Sequence, residues 1–183
     1  MPGQTPDPDP ELIRRWQRGD REAFEQIVRH WHPRVARFLA RLVGCPELAR
    51  DLAQEVFLRV YLSAGKYREN GHFPTWLFQI ALNQARDAAR RSVRRPTVPL
   101  ADAEPTAPAD DRLEDRERVE AVTAALAELP GPLREVVVLR HYEDMSFEAM
   151  ARLLGTPAST LKSRFAVALR QLQERLTKRG FIL

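Results

Sequence analysis

Apolar residues recur at three- and four-residue steps along most of this chain, a spacing that predicts short amphipathic helices and, in the first half, no strands. Glu11 to Arg18 reads as a first helix, ended by Gly19. Asp20 is a natural N-cap, because its carboxylate can accept from backbone N–H groups that have no partner inside the helix. Ala23, Phe24, Ile27, Val28 and Trp31 then share one face. Pro33 is read as opening a separate helix, where Val35, Phe38, Leu39 and Leu42 repeat the pattern until Gly44. Pro46 opens a fourth, through Leu48, Leu52, Val56, Phe57 and Val60. The polar stretch Lys66 to Phe73 contains Asn70-Gly71 and predicts a loop. Pro74 or Thr75 starts the next helix, whose first half is apolar at Trp76, Leu77, Ile80 and Ala81. Its second half carries Arg86, Arg90, Arg91, Arg94 and Arg95, and Asn83, Arg86, Asp87, Arg90 and Arg94 line up as one polar face.

The second half repeats the helical period after a break. Residues 96–111 hold four prolines, four acids and no base, which predicts an extended tether. At about 3.1 Å per residue such a tether spans roughly 50 Å. Residues 112–129 read as amphipathic through Leu113, Val119, Val122, Leu126 and Leu129, and Pro130-Gly131-Pro132 ends them. In LREVVVLRHY three valines favour a strand, but Pro132 suits a first helical turn and no partner strand lies nearby, so a helix is expected.

Residues 146–169 have the layout of a helix-turn-helix. Ser146 caps a helix with Phe147, Met150, Ala151 and Leu154 on one face, Gly155 turns, and Thr156 caps a second helix with Pro157 in its first position. Leu161 locks the helices together. Ala158, Ser159, Lys162 and Ser163 then face outward, with Arg164 at the edge, as on a recognition helix for a DNA major groove. A plain helical hairpin is the competing reading. The helix is expected to run to Leu176, with the tail KRGFIL frayed. The expected fold class is all-α: a disordered tail at 1–10, a helical domain at 11–95, a flexible Pro-rich acidic linker at 96–111 and a second helical domain at 112–183.

Charge sharpens the picture. The 183-residue chain has a net charge of +4 and a pI near 9.7. Residues 11–95 carry 17 Lys and Arg against nine Asp and Glu, so the first domain holds more than the whole excess. A polyanionic partner fits that balance. Cys45 is the single cysteine, which excludes an internal disulfide and a thiolate metal site. His30 and His32 face different sides of a helix, and His141 stands apart, so no metal set is expected. No Gly-rich phosphate loop, catalytic constellation or cofactor motif is present, and the expectation is a DNA-binding protein that is not an enzyme. There is no signal-peptide pattern and no apolar run of membrane-spanning length, so a cytoplasmic location without membrane insertion is expected.

Three segments together resemble bacterial sigma factors of the extracytoplasmic-function (ECF) group of the sigma-70 superfamily. GDREAFEQIVRHWHPRVARFLARLVG with DLAQEVFLRVY resembles the start of the family's region 2. FPTWLFQIALNQARDAARR resembles its promoter-melting and −10 segment, and LPGPLREVVVLRHYEDMSFEAMARLLGTPASTLKSRF its region 4. The resemblance implies a subunit that binds the RNA polymerase core, recognises −35 and −10 promoter elements and melts the −10 region.

It implies site residues as well. Asp51, Gln54, Glu55, Phe57, Leu58 and Tyr61 would dock region 2 on the β′ clamp, with a plain core role weighed equally for Phe57 and Tyr61. Tyr67, Arg68, Asn70, Gly71, Phe73, Trp76, Gln79, Asn83, Arg86, Asp87, Arg90 and Arg91 would meet −10 DNA, with Phe73 and Trp76 weighed as core residues instead. Ser159, Thr160, Lys162, Ser163 and Arg164 would read the −35 element, while region 4 meets the β flap. An anti-sigma factor is the further expected partner. The chain departs from the family where an Arg-Ala-Arg-like run is common, since Ala166-Val167-Ala168-Leu169 stands there. Weaker or altered −35 binding follows from the missing phosphate contacts. The alternative function is a stand-alone helix-turn-helix transcriptional regulator.

Overall fold

A computed structural model of the chain describes residues 10–68, 73–94 and 113–181. All regular structure among them is helical: α1 (Pro10–Gln17), α2 (Arg21–Val43), α3 (Pro46–Leu62), a short 3-10 turn (Ala64–Lys66), α4 (Phe73–Arg94), α5 (Leu113–Ala127), α6 (Gly131–Val137), a π-helical continuation (Val138–Tyr142), α7 (Phe147–Leu154) and α8 (Ala158–Lys178). The described residues form two compact units, one from those up to 39 and those between 48 and 94, the other from 40–47 and 113–181. The tail at 1–9 and the linker at 96–111 lie outside the described residues. Pro10, expected in the tail, opens α1 instead.

The first unit is organised around rings. Trp31, Phe38, Phe73 and Phe78 are all fully or almost fully buried, with Ile27, Leu39, Leu77 and Leu82 packed among them. Phe38 and Phe78 lie 4.8 Å apart and tilted, Trp31 stands 5.8 Å from Phe73, and Trp16 stacks on Phe24 at 5.8 Å. Offset and tilted pairs of this kind add to the area they bury. Asp20 caps α2 as expected, its Oδ1 accepting from the Ala23 N–H at 3.2 Å while Oδ2 accepts from Arg15 at 2.7 Å. These two bonds, the backbone one first, hold its carboxyl below the ordinary value.

Pro33 does not open a new helix. It lies inside α2, which runs unbroken from Arg21 to Val43. Pro33 lacks an N–H, so a single intrahelical bond is lost, and Pro33 sits on the exposed side. Ala23, Ile27, Trp31, Val35, Phe38 and Leu39 meanwhile stay in phase across it, all fully buried. Burying that stripe outweighs a cost of roughly 3 kcal/mol for an interior proline.

The second unit is aliphatic. Leu126, Leu129, Val136, Val137, Val138, Leu139, Met150, Leu153 and Leu161 form its core. Val136, Val137, Val138 and Leu139 are all buried, and the run is helical because Pro132 opens α6 and no strand among the described residues could pair with it. Arg134 closes the end of α5, its guanidinium donating to the Ala127 carbonyl and to that of Leu129 at 3.0 Å. Burial pushes the Arg134 pKa down from its ordinary value. Val119, expected on the buried face of α5, is half exposed at 50%. As far as Phe181 the end of α8 is not frayed as expected: Gly180 takes φ +85°, the Phe181 N–H donates to the Leu176 carbonyl at 3.0 Å, and Arg179 pairs with Glu128 at 2.5 Å, while Ile182 and Leu183 lie outside the described residues.

Candidate nucleic-acid interface

In the first unit, α3 turns one stripe outward. Asp51, Gln54, Leu58 and Tyr61 are exposed on it, Leu58 by 58% and Tyr61 by 45%. Glu55 is half-buried and accepts from Arg59 at 3.1 Å. Phe57 takes the core position weighed equally for it. It is buried and stacks on His32 at 5.7 Å, so it supports the stripe from inside. Leu62, which the sequence reading left out, is the most exposed large apolar side chain of this helix at 72%. It stands four residues after Leu58, and that step is the sequence signal that could have placed it.

Where the end of α3 meets α4, an open depression of about 300 Å³ is lined by Arg59, Leu62, Ser63, Lys66, Ile80, Asn83 and Gln84. Leu62 and Ile80 make apolar wall. Lys66 and Asn83 are exposed and bring an ammonium and a carboxamide. Gln84 is buried, and the orientation that turns its carboxamide oxygen to the Arg59 guanidinium satisfies both groups. Of these seven residues only Asn83 was among the expected contacts, because the others are drawn together by packing. The combination suits a flat, partly polar group with apolar faces, such as an unpaired base.

Of the aromatic residues near the loop, Phe73 takes the core position favoured for it, and Tyr67 is inside as well. Tyr67 and Phe73 are buried and meet edge to face at 5.6 Å, and Tyr67 lies 5.0 Å from Trp76, which is half-buried. Arg68 is exposed, and Asn70 and Gly71 lie outside the described residues. Along α4, Asn83, Arg90 and Arg91 are exposed, while Gln79, Arg86 and Asp87 are partly so. Asp87 pairs with Arg90. That bond, with Arg59 and Arg91 contributing, holds the Asp87 carboxyl below the ordinary value, so this face carries ionised groups of both signs with arginine in excess.

The second unit presents a single helix. Ser146 Oγ accepts from the Ala149 N–H at 3.1 Å, and Gly155 takes φ +62°. Thr156 does not cap α8. Its hydroxyl donates to the Leu154 carbonyl at 3.4 Å, and Pro157 takes the capping position without a side-chain bond. Leu161 is fully buried, and Ser159, Lys162 and Ser163 are exposed, with Thr160 and Arg164 partly so. Lys162 Nζ sits 5.8 Å from the Phe147 ring centroid, and the Arg140 guanidinium is 5.6 Å from the same ring. Phe147 was expected only on the apolar face of its helix, and Arg140 was not singled out in the sequence. Further along α8, Val167 and Leu169 are exposed at 39% and 47%, so the surface there is apolar. Among the described residues no His, Cys, Asp and Glu group could hold a metal ion, and no helix is long and apolar enough to cross a membrane.

Residues 27–95 match the family model of sigma-70 region 2, and residues 119–172 match that of sigma-70 region 4. The chain is 34% identical over 173 residues to the RNA polymerase sigma-H factor of Pseudomonas aeruginosa, covering 87% of this chain and 89% of that one. It is 38% identical over 161 residues to the ECF RNA polymerase sigma factor SigM of Mycobacterium tuberculosis, covering 87% and 80%. Among solved structures, CnrH in complex with the cytosolic domain of CnrY aligns with a TM-score of 0.70 at 26% identity, covering 92% of this chain and 96% of that one.

Proposed function

The chain belongs to the ECF group of the sigma-70 family of RNA polymerase sigma factors, and on that premise we propose how its surfaces divide the work of opening a promoter. It is an initiation factor that gives RNA polymerase its promoter specificity, not an enzyme. Its segments are assigned as region 2 at 11–95, a linker at 96–111 and region 4 at 112–183. The outward stripe of α3, Asp51, Gln54, Leu58 and Tyr61, docks on the β′ clamp of the polymerase core. Exposed apolar side chains flanked by acids suit a partner helix that carries arginine.

The single observation that carries the −10 assignment is the depression between α3 and α4. Melting takes a base out of the stack, at a cost of a few kcal/mol that a pocket must offset. Leu62 and Ile80 contact the base faces, Asn83 and Lys66 bond its edge, and Arg86, Arg90 and Arg91 hold the neighbouring phosphates. The base contacts specify, and the phosphate contacts position the strand and make binding salt-dependent. Ser159, Lys162 and Ser163, with Thr160 and Arg164 at the margins, read the −35 element in the major groove. Region 4 also meets the β flap. A solved chain of the same fold is complexed with the cytosolic domain of another protein, and an anti-sigma factor is the corresponding partner here, in the cytoplasm.

Reconstituted transcription tests this reading. The chain with core polymerase should initiate at a site in its own upstream DNA and expose unpaired −10 bases to permanganate, and Asn83→Ala should lower melting about tenfold at unchanged core affinity. A footprint without core over a duplex that stays closed would instead favour a stand-alone regulator.

A further inference from the structure

Helix α1 reaches a part of the chain nearly fifty residues away. Gln17 is its last residue. The side-chain amide nitrogen donates one N–H to the Ala64 carbonyl at 2.9 Å and the other to the Tyr67 carbonyl at 2.8 Å. Both partners are acceptors, so the nitrogen and not the oxygen must face them. The same turn is held by its own backbone, since the N–H groups of Lys66 and Tyr67 donate to the Ser63 carbonyl at 2.9 and 3.3 Å. Beside Gln17, Trp16 is buried against Phe24 at 5.8 Å and Trp76 at 6.3 Å, which fixes the end of α1. Two of the residues that this turn carries, Ser63 and Lys66, line the depression. The region 2 match begins at residue 27, beyond α1 altogether.

We propose that Gln17 is a positioning residue for base readout. It fixes the Ala64–Tyr67 turn so that Ser63 and Lys66 stand at the depression in the geometry that accepts an unpaired −10 base. The inference rests on the depression being the −10 base site. A chain lacking the two donors still folds around its rings and still presents the α3 stripe. What it loses is a single position of the turn, because two carbonyls that faced an amide must find water instead.

The test uses the full chain with core polymerase and three substitutions: Gln17→Met and Gln17→Glu, which keep the length but cannot donate, and Gln17→Lys, which can. The probe is a duplex promoter selected by the wild-type holoenzyme from a pool randomised at −10, compared with the same duplex changed at each −10 position. Open complex is read by permanganate. Gln17→Met and Gln17→Glu should lower discrimination at one or more −10 positions roughly tenfold, with core affinity and −35 discrimination within about twofold of wild type, and Gln17→Lys should restore most of it. Unchanged discrimination in the first two variants overturns the proposal. So does a parallel fall of core affinity and of both discriminations, which is general structural loss. Should Gln17→Glu fail to fold, the Met and Lys pair carries the same contrast. A wild-type holoenzyme that leaves every selected duplex closed removes the −10 reading itself, a result distinct from variants that match a melting wild type.

Discussion

The surface assigned to −10 DNA is concave and built by two helices, whereas the surface assigned to the −35 element is convex and built by one. The difference reaches down to the cores. A depression lined from α3, the turn after it and α4 exists only while those elements keep their spacing, and the first unit fixes that spacing with buried rings such as Trp31, Phe73 and Phe78. The face of α8 needs only the right rotation about its own axis, and Gly155, Ser146 and Leu161 supply that locally. A concave site is therefore vulnerable to distant core changes, and a convex one to changes at its own turn.

The largest expected effect contrasts the two cores. Trp31→Ala should cost about 3–5 kcal/mol and Leu161→Ala about 2–5 kcal/mol, read as shifts in denaturant midpoint. The first should also erode −10 discrimination, and the second should abolish −35 binding while leaving melting on a −10 oligonucleotide intact. The comparison breaks if both variants damage both elements equally. All three tryptophans, Trp16, Trp31 and Trp76, precede the linker, so fluorescence follows the first unit and circular dichroism the sum.

Next comes the turn. Gly155 has φ +62°, with nothing within 4 Å of an added Cβ. Gly155→Val should therefore destabilise the second unit by about 1–2 kcal/mol through backbone strain alone. A thermal midpoint equal to wild type would show that the turn has another conformation. A smaller effect concerns contacts. Val167 is exposed where a phosphate-binding arginine is common, so Val167→Arg in the holoenzyme should raise −35 affinity and steepen the slope of log K against log salt by about 0.9. No gain at low salt would place Val167 away from the backbone.

The smallest is a pH effect in the first unit. The pKa of Asp20 is lowered on folding, by the Ala23 N–H first and Arg15 second. Its contribution is then fully present above the unfolded value near 3.9, and is lost as pH falls through the lower folded value. Asp20→Asn keeps a capping oxygen but should flatten the acid limb of the fluorescence-monitored stability curve. An identical limb would mean that Asp20 contributes nothing to it.

Local signals in the chain were legible where the physics is local. Ser146 and Asp20 cap helices because their side chains can reach N–H groups two or three residues on, a property of the residues themselves. Gly155 turns because it alone pays no Cβ penalty there. Pro33 misled for a related reason: proline has a strong local preference for helix starts, and only the continuous buried stripe of α2 overrules it. Thr156 misled likewise, since Pro157 could take the position before α8 without a side-chain cap.

The interface residues divide along the same line. Lys162 and Ser163 face outward as their spacing from Leu161 requires, whereas Phe57, Tyr67 and Phe73 are aromatic residues that could have served either surface or core. Helical period defines a stripe wider than one face, and neighbouring helices choose which edge of it is covered. That choice buried Phe57 and left Leu62 exposed on the same helix.

By itself, then, the sequence determined the helices apart from the join across Pro33, most of their ends and the register of α8, because each follows from contacts within a few residues, and its composition determined the charge excess of the first half. Tertiary structure alone decided the depression, the pairing of Gln84 with Arg59 and the reach of Gln17 to the Ala64 and Tyr67 carbonyls. These join residues up to fifty positions apart, and no periodicity along a chain encodes how two of its helices cross.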